Sequence, residues 1–278
     1  MRMRYTTQYG FTLIEMIVVI VITGIIGGMV AMFIRAPVQG YVDSSNRAEM
    51  GDIADTALRR LARDIRTAVP NSVRVANCGG TATCVEFLPT RDGGRYRADT
   101  PGNLLNFGIA DGDFDIVGAP VTFVAGDHIV IGSTQSDGNP AYNTGGTGIL
   151  RRYIGGAGAQ STVTFTATAL PVWAEVPGQR FDVVPGDQQA VTYACLNVGI
   201  NGGDGSGTLI RYWAYNFNLV QIMPPGGTTA VLADRVSACE ISYDLTSQRN
   251  GLLSIRLGIT RGGESLSLYH AIHVNNVP

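Results

Sequence analysis

Gly10-Phe11-Thr12-Leu13-Ile14-Glu15 opens a long apolar run, and the fold of the chain turns on how that run is read. From Phe11 to Ile34 the one charged side chain is Glu15, and Arg35 closes the stretch. Built as a helix, it would span about 36 Å at ~1.5 Å per residue, enough to cross a hydrocarbon core of ~30 Å. Arg2 and Arg4 ahead of it suit a cytoplasmic amino end. Two details go beyond a plain anchor. A carboxylate at bilayer depth costs about 2.5–3.5 kcal/mol unless it is paired. A secretory signal carries its small cleavage residues after the apolar segment, whereas here Gly10 precedes it.

The 278 residues leave room for this stalk and one sizeable domain. Removal of residues 1–10 would take away Arg2 and Arg4 and lower the formal net charge from −2 to −4. That balance argues against a nucleic-acid partner, which selects a basic face. All 20 basic residues are arginine, so a phosphate-loop lysine and a Schiff-base lysine are both excluded. The 36 glycines and the low charged fraction, 15%, point to a β-rich, loop-rich domain.

After Pro37, which is expected to kink or briefly break the helix, a second helical pattern runs from Val38 to Val69. Ile53, Ala57, Leu58, Leu61, Ile65 and Ala68 form one apolar stripe at spacings of three and four. Asp55 and Arg59, and Arg60 and Asp64, stand four apart and can pair. Pro70-Asn71 ends the segment. Short alternating runs follow: Ser72–Ala76, Cys84–Leu88, Leu104–Ile109, His128–Gly132 and Thr162–Thr168 read as strands, and Thr208–Met223 reads as a long strand or hairpin arm. The last forty residues alternate most cleanly. Cys239, Ile241, Tyr243 and Leu245, then Leu253, Ile255, Leu257 and Ile259, then Leu266, Leu268, Ile272 and Val274 make three arms, with turns at Asn250-Gly251 and Arg261-Gly262-Gly263. This is an antiparallel meander with one buried face.

Four cysteines allow three connectivities. If the domain lies outside the cytoplasmic membrane, oxidised pairs are expected, and Cys78–Cys84 and Cys195–Cys239 are the favoured ones. Asp111, Asp113 and Asp115 are spaced as a calcium loop begins, but Ile116 stands where glycine is required and Thr122 where a bidentate glutamate is required. A solvated acidic loop is the expectation, with calcium the weak alternative and no cofactor otherwise implied. His128, His270 and His273 are the only imidazoles; His270 and His273 would face opposite sides of a strand, and His270 falls on the apolar side. No nucleophile–base set stands out, so no enzyme is expected.

The Gly10–Glu15 stretch resembles the processing site of type IV prepilins and type II secretion pseudopilins. That resemblance implies cleavage after Gly10 and N-methylation of Phe11 by a prepilin peptidase/methyltransferase. Glu15 would then pair with the amino terminus of a neighbouring subunit during assembly. It implies an α+β, pilin-like fold: a leader over 1–10, a transmembrane and filament-core helix over 11–36, its amphipathic extension over 37–69, and a β-rich head over 70–278. The carboxy-terminal meander resembles the larger minor pseudopilins, the J component of type II secretion. The segments Arg47–Arg66, Pro70–Val75 and His273–Pro278 are similar to the O component of mannose-sensitive haemagglutinin (MSHA) pilus biogenesis. The implied role is a minor structural subunit of a pilus, with a secretion pseudopilin or a tip adhesin as alternatives. The implied partners are other minor and major pilins and an inner-membrane assembly platform. The implied place is the bacterial inner membrane, single-pass, with the head periplasmic or carried onto a surface pilus. For an adhesin, the loops Ala110–Ala119 and Ser133–Gly148 are the candidate contact regions.

Overall fold

The computed structural model describes residues 10–77, 83–137, 139–247 and 250–277. Its first element is helix α1, Leu13–Arg66, 54 residues long and continuous through Pro37. The chain divides into two compact units, 1–48 and 49–278. In the first unit the apolar side chains from Phe11 to Val42 are exposed. In the second, Met50, Ala54, Ala57, Leu58, Leu61, Ala62 and Ile65 of α1 are buried in one core with the main sheet, and Ile53 packs half-buried beside them. The expected stripe is thus extended by Met50, Ala54 and Ala62, while Ala68 lies past the helix end.

α1 stops at Arg66, three residues before the expected limit, because other partners take over the backbone. The Thr67 hydroxyl donates to the Asp64 carbonyl at 2.8 Å, Val69 N–H donates to Leu88 O, and Ala68 bridges to Pro89. Asp55 and Arg59 pair at 2.6 Å as expected. Asp64 turns to the sheet instead of Arg60, accepting from Tyr193 Oη at 2.6 Å and Arg211 Nε at 2.9 Å.

Seven strands form the main antiparallel sheet. In spatial order they are β1 (Arg74–Asn77), β2 (Thr83–Phe87), β11 (Val191–Leu196), β14 (Gly207–Trp213), β15 (Thr228–Ser247), β16 (Asn250–Arg261) and β17 (Glu264–Asn275). The helix-covered face carries Val85, Phe87, Tyr193, Leu209, Ile241, Leu253, Ile255, Leu257, Ile259 and Ile272. Both expected strands at its start and the three-armed meander are present. Asn250 and Gly251, expected as a turn, lie within β16, opposite Ser247 and Leu245. The second turn falls where expected: Arg261 pairs with Glu264, and Gly262 and Gly263 take φ of 58° and 82°, the left-handed values that a two-residue hairpin of this twist requires. The aromatic run Thr208–Met223 is a strand only as far as Trp213.

A second sheet consists of β3 (Asp92–Arg95), β10 (Arg180–Val184), β6 (His128–Ile131) and β7 (Leu150–Arg152); β6 and most of β10 carry buried residues on both faces, while β3 stays partly exposed. Ile129, Ile131, Phe181 and Val183 point into a core with Tyr96, Phe114, Phe123 and Phe165. Val130, Leu150 and Val184 point the other way, against Val69, Leu88 and Ala190. Short ladders complete the head: β4 (Asp113–Asp115) with β9 (Thr162–Thr164), β5 (Val121–Phe123) with β8 (Gly158–Gln160), and β12 (Ile200–Asn201) with β13 (Asp204–Gly205). Leu104–Ile109, expected as a strand, is a loop held by isolated bonds such as Leu105 N–H to Arg97 O and Gly108 N–H to Leu170 O.

Candidate functional site: the amino-terminal end of α1

Helix α1 begins at Leu13, so Gly10, Phe11 and Thr12 lie outside it. Thr12 caps the helix. Its Oγ1 accepts the Glu15 amide at 3.3 Å, and its carbonyl accepts the Met16 amide. Thr12 and Glu15 stand in the Thr-x-x-Glu arrangement of a capping box, and Glu15 places its carboxylate in the first turn, where the helix dipole favours an anion. The Gly10–Phe11 peptide bond therefore sits just ahead of a sharply started helix. Both residues are exposed, and a side chain added at Gly10 would meet open space. The capping box was not drawn from the sequence, although Thr12-x-x-Glu15 is its signal.

Behind this start the helix is apolar enough to cross a membrane by length and composition. The mean hydropathy of its best window is 2.8, and none of that window is buried within the chain. The hydroxyl of Thr23 is satisfied locally by donating to Val19 O at 2.7 Å. Gly24, Gly27 and Gly28 have nothing within 4 Å of an added Cβ.

Residues 6–33 match the prokaryotic N-terminal methylation motif. The motif covers Gly10, Phe11 and Glu15 and supports a type IV pilin-like prepilin that is processed by a prepilin peptidase. Together with the exposed apolar helix, it fits a membrane-anchored pilin. The methylation motif ends well before the head. No curated protein and no solved structure matches the chain.

The other residues singled out from the sequence are dispersed through the head. Cys195 and Cys239 form a disulfide with Cα atoms 6.3 Å apart. It ties the end of β11 to β15 past Val236, where β15 no longer has β14 beside it. Cys78 lies outside the described residues, and none of the described cysteines is free. The three acidic residues are not gathered for a cation. Asp111 accepts from the Asn106 amide and side chain and from Gly112 N–H, while Asp115 accepts from Asn103 N–H and Thr162 Oγ1, which holds its carboxyl below the usual range. Among the described residues no group of three histidine, cysteine or carboxylate side chains could hold a metal ion. His128 packs edge-on against Phe217 at 4.7 Å, and burial lowers its pKa. His270 and His273 lie in β17 opposite Ile255 and Leu252.

The polar residues that matter most to the head were not anticipated. Glu86 is buried between Arg74, at 2.8 Å, and Tyr215, at 3.0 Å. Burial raises the Glu86 pKa against the opposing pull of Arg74. Arg74 also lies over the Tyr142 ring at 3.8 Å and donates to the carbonyls of Asn218 and Leu219, so one guanidinium fixes a loop that follows β14. Asp127, fully buried, accepts from Arg91, Val124 N–H and Gly186 N–H. Arg151 is buried with its guanidinium donating to Leu150 O and Ala169 O. These networks organise loops; none presents a nucleophile beside a base.

Proposed function

We propose that the chain is a minor pilin or pseudopilin, a structural subunit that helps to initiate or cap assembly of a type IV pilus of the MSHA kind. The observation that carries the reading is the methylation motif over residues 6–33, joined to a helix that starts only after the Gly10–Phe11 bond. In this reading residues 1–10 are a leader, 11–36 the membrane and filament-core stretch, 37–69 the amphipathic stretch in which α1 ends at Arg66, and 70–278 a periplasmic head. Cleavage after Gly10 and methylation of Phe11 leave a new amine one turn from Glu15. In an assembled bundle that amine meets the Glu15 carboxylate of a neighbour, and each charge offsets the other's desolvation.

Amino-terminal sequencing and intact mass of the native protein test the processing step. The expected mature chain starts at N-methylated Phe11, and Gly10→Arg leaves the precursor in the membrane. A native chain that retains Met1 would overturn the reading. Glu15→Leu then separates a subunit from a tethered domain. A subunit keeps leader cleavage but yields fewer filaments, because the neighbour's amine loses its partner. A merely tethered domain shows no assembly defect. The same reading admits a secretion pseudopilin, in which case the defect is in secretion and not in filament number.

A further inference from the structure

On β10, Arg180, Asp182 and Val184 alternate with Phe181 and Val183, so they share the sheet face that turns to Val69 and Leu88. The neighbours of Asp182 across the sheet are Gly93 on β3 and Val130 on β6, and neither carries a charge. A side chain added at Gly93 would come within 3.4 Å of Asp182 Oδ1, so the glycine leaves room beside the carboxylate. Asp182 also lines a cavity of about 300 Å³, at the low end of the range for small-ligand sites.

The same cavity is lined by Arg66, from the last turn of α1, and by Arg180. Among the described residues neither guanidinium has a hydrogen bond or ion pair, and the Asp182 carboxylate has none either. Arg180 attracts that carboxylate without bonding to it. Charges drawn partly out of water ordinarily find partners, yet here both signs line one small cavity unpaired. Thr67 lines it too, and its Oγ1 already donates to Asp64 O, so towards any further group it can only accept. Ala68, Pro70 and Val277 supply an apolar part of the wall.

We propose that this cavity binds a free α-amino acid with a short aliphatic side chain. Its carboxylate takes the guanidiniums of Arg66 and Arg180, whose planar forks match a carboxylate. Its ammonium takes Asp182, with Thr67 Oγ1 as a further acceptor. Its side chain faces Ala68, Pro70 and Val277. A simple carboxylate meets the arginines but leaves Asp182 beside a like charge. A simple amine meets Asp182 but stands before two cations. The two termini of a peptide stand apart, and a cavity this small takes one of them at a time. An α-amino acid carries both charges on a single carbon. The site lies wholly within residues 49–278 and does not depend on the prepilin reading.

The test uses the full chain in detergent micelles, with L-alanine, L-lactate, propionate and ethylamine as probes and saturation-transfer NMR as the readout. L-Alanine is expected to bind saturably. The other three each lack one of its charges and should bind roughly tenfold more weakly or worse. Asp182→Asn is expected to fold, since it removes an unpaired charge, and to bind L-alanine and L-lactate alike. Arg180→Gln should weaken L-alanine binding roughly tenfold or more. Carboxyl NMR on the wild-type chain needs no variant. Asp182 titrates near 6 in the free protein and should titrate lower in saturating L-alanine, because a bound ammonium favours its charged form. Absence of saturable L-alanine binding, or an Asp182 titration that L-alanine leaves unmoved, overturns the site. Equal binding of L-lactate and L-alanine by the wild-type chain overturns the choice of ligand. The prepilin reading is scored separately, by leader cleavage at Gly10, and stands or falls on that measurement.

Discussion

The carboxy-terminal meander and the lobe formed by residues 89–187 are built on opposite principles. In the meander each strand pairs with its neighbour in sequence, β15 with β16 and β16 with β17, and apolar residues alternate along the arms, with His270 the exception on β17. In the lobe β3 pairs with β10, from Asp92–Arg95 to Arg180–Val184, and most strands have three to five residues. Its stability comes from a knot of aromatic rings: Phe114 meets Phe181 at 5.2 Å and Phe165 at 6.0 Å, while Phe123 stacks on Tyr153 at 4.0 Å. Local pairing writes itself into the sequence as a period. Non-local pairing closes long loops first and is recorded only as scattered large residues.

The largest expected effect breaks the two regions apart. Phe181→Ala should cost about 3–5 kcal/mol, the usual range for removing a buried phenylalanine. The loss should fall on the lobe, with amide protection falling at Ile129–Ile131 while Leu253–Ile259 stays protected. Equal loss in both would mean that the head unfolds as one unit and that the contrast is only topological.

A smaller effect reaches the main sheet from its side. Cys239→Ser should lower stability by about 2–5 kcal/mol, as for loss of a native bridge. It should loosen the second half of β15 more than β17, since the bridge ties β15 to β11. Urea denaturation with exchange mapping reads both quantities.

The smallest effect has the opposite sign. Asp182 of β10 lines a cavity of about 300 Å³ beside Arg66, Thr90 and Arg180. Burial pushes its carboxyl from 3.8 up to about 6, against the pull of Arg180. The folded state therefore takes up the proton first, and the lobe should gain stability as pH falls from about 7 towards 4. Asp182→Asn should raise the melting temperature at pH 7 and remove that part of the pH dependence. An unchanged pH profile would show that Asp182 is solvated in the folded state.

Legibility in the sequence follows the same division. The stalk, the helix stripe and the meander were readable because Leu58, Leu61 and Ile65, and Leu253, Ile255 and Leu257, carry periods of 3.6 and 2. The lobe was readable only in part: His128–Gly132 coincides with β6 and the start of Thr162–Thr168 with β9, whereas Leu104–Ile109 has the composition of a strand but, among the described residues, no partner segment that completes a ladder. Gly10 and Glu15 stand out because each breaks an expectation, a small residue before the apolar run and a charge within it. Glu86, Asp127 and Arg151 carry no such mark, since their meaning lies in partners 12 to 129 residues away.

Helix segment 49–66 is fastened at both ends, by the Glu49–Arg261 ion pair near its beginning and by Asp64 with Tyr193 and Arg211 near its close. Between these lies the apolar row from Met50 to Ile65. In mechanical terms this is a lap joint with a rivet at each end. A pull along segment 49–66 loads the row in shear, so both rivets and every buried side chain bear it together. A force that lifted one end would instead peel the contacts one at a time. The head is thus held most firmly against tension along the axis of segment 49–66.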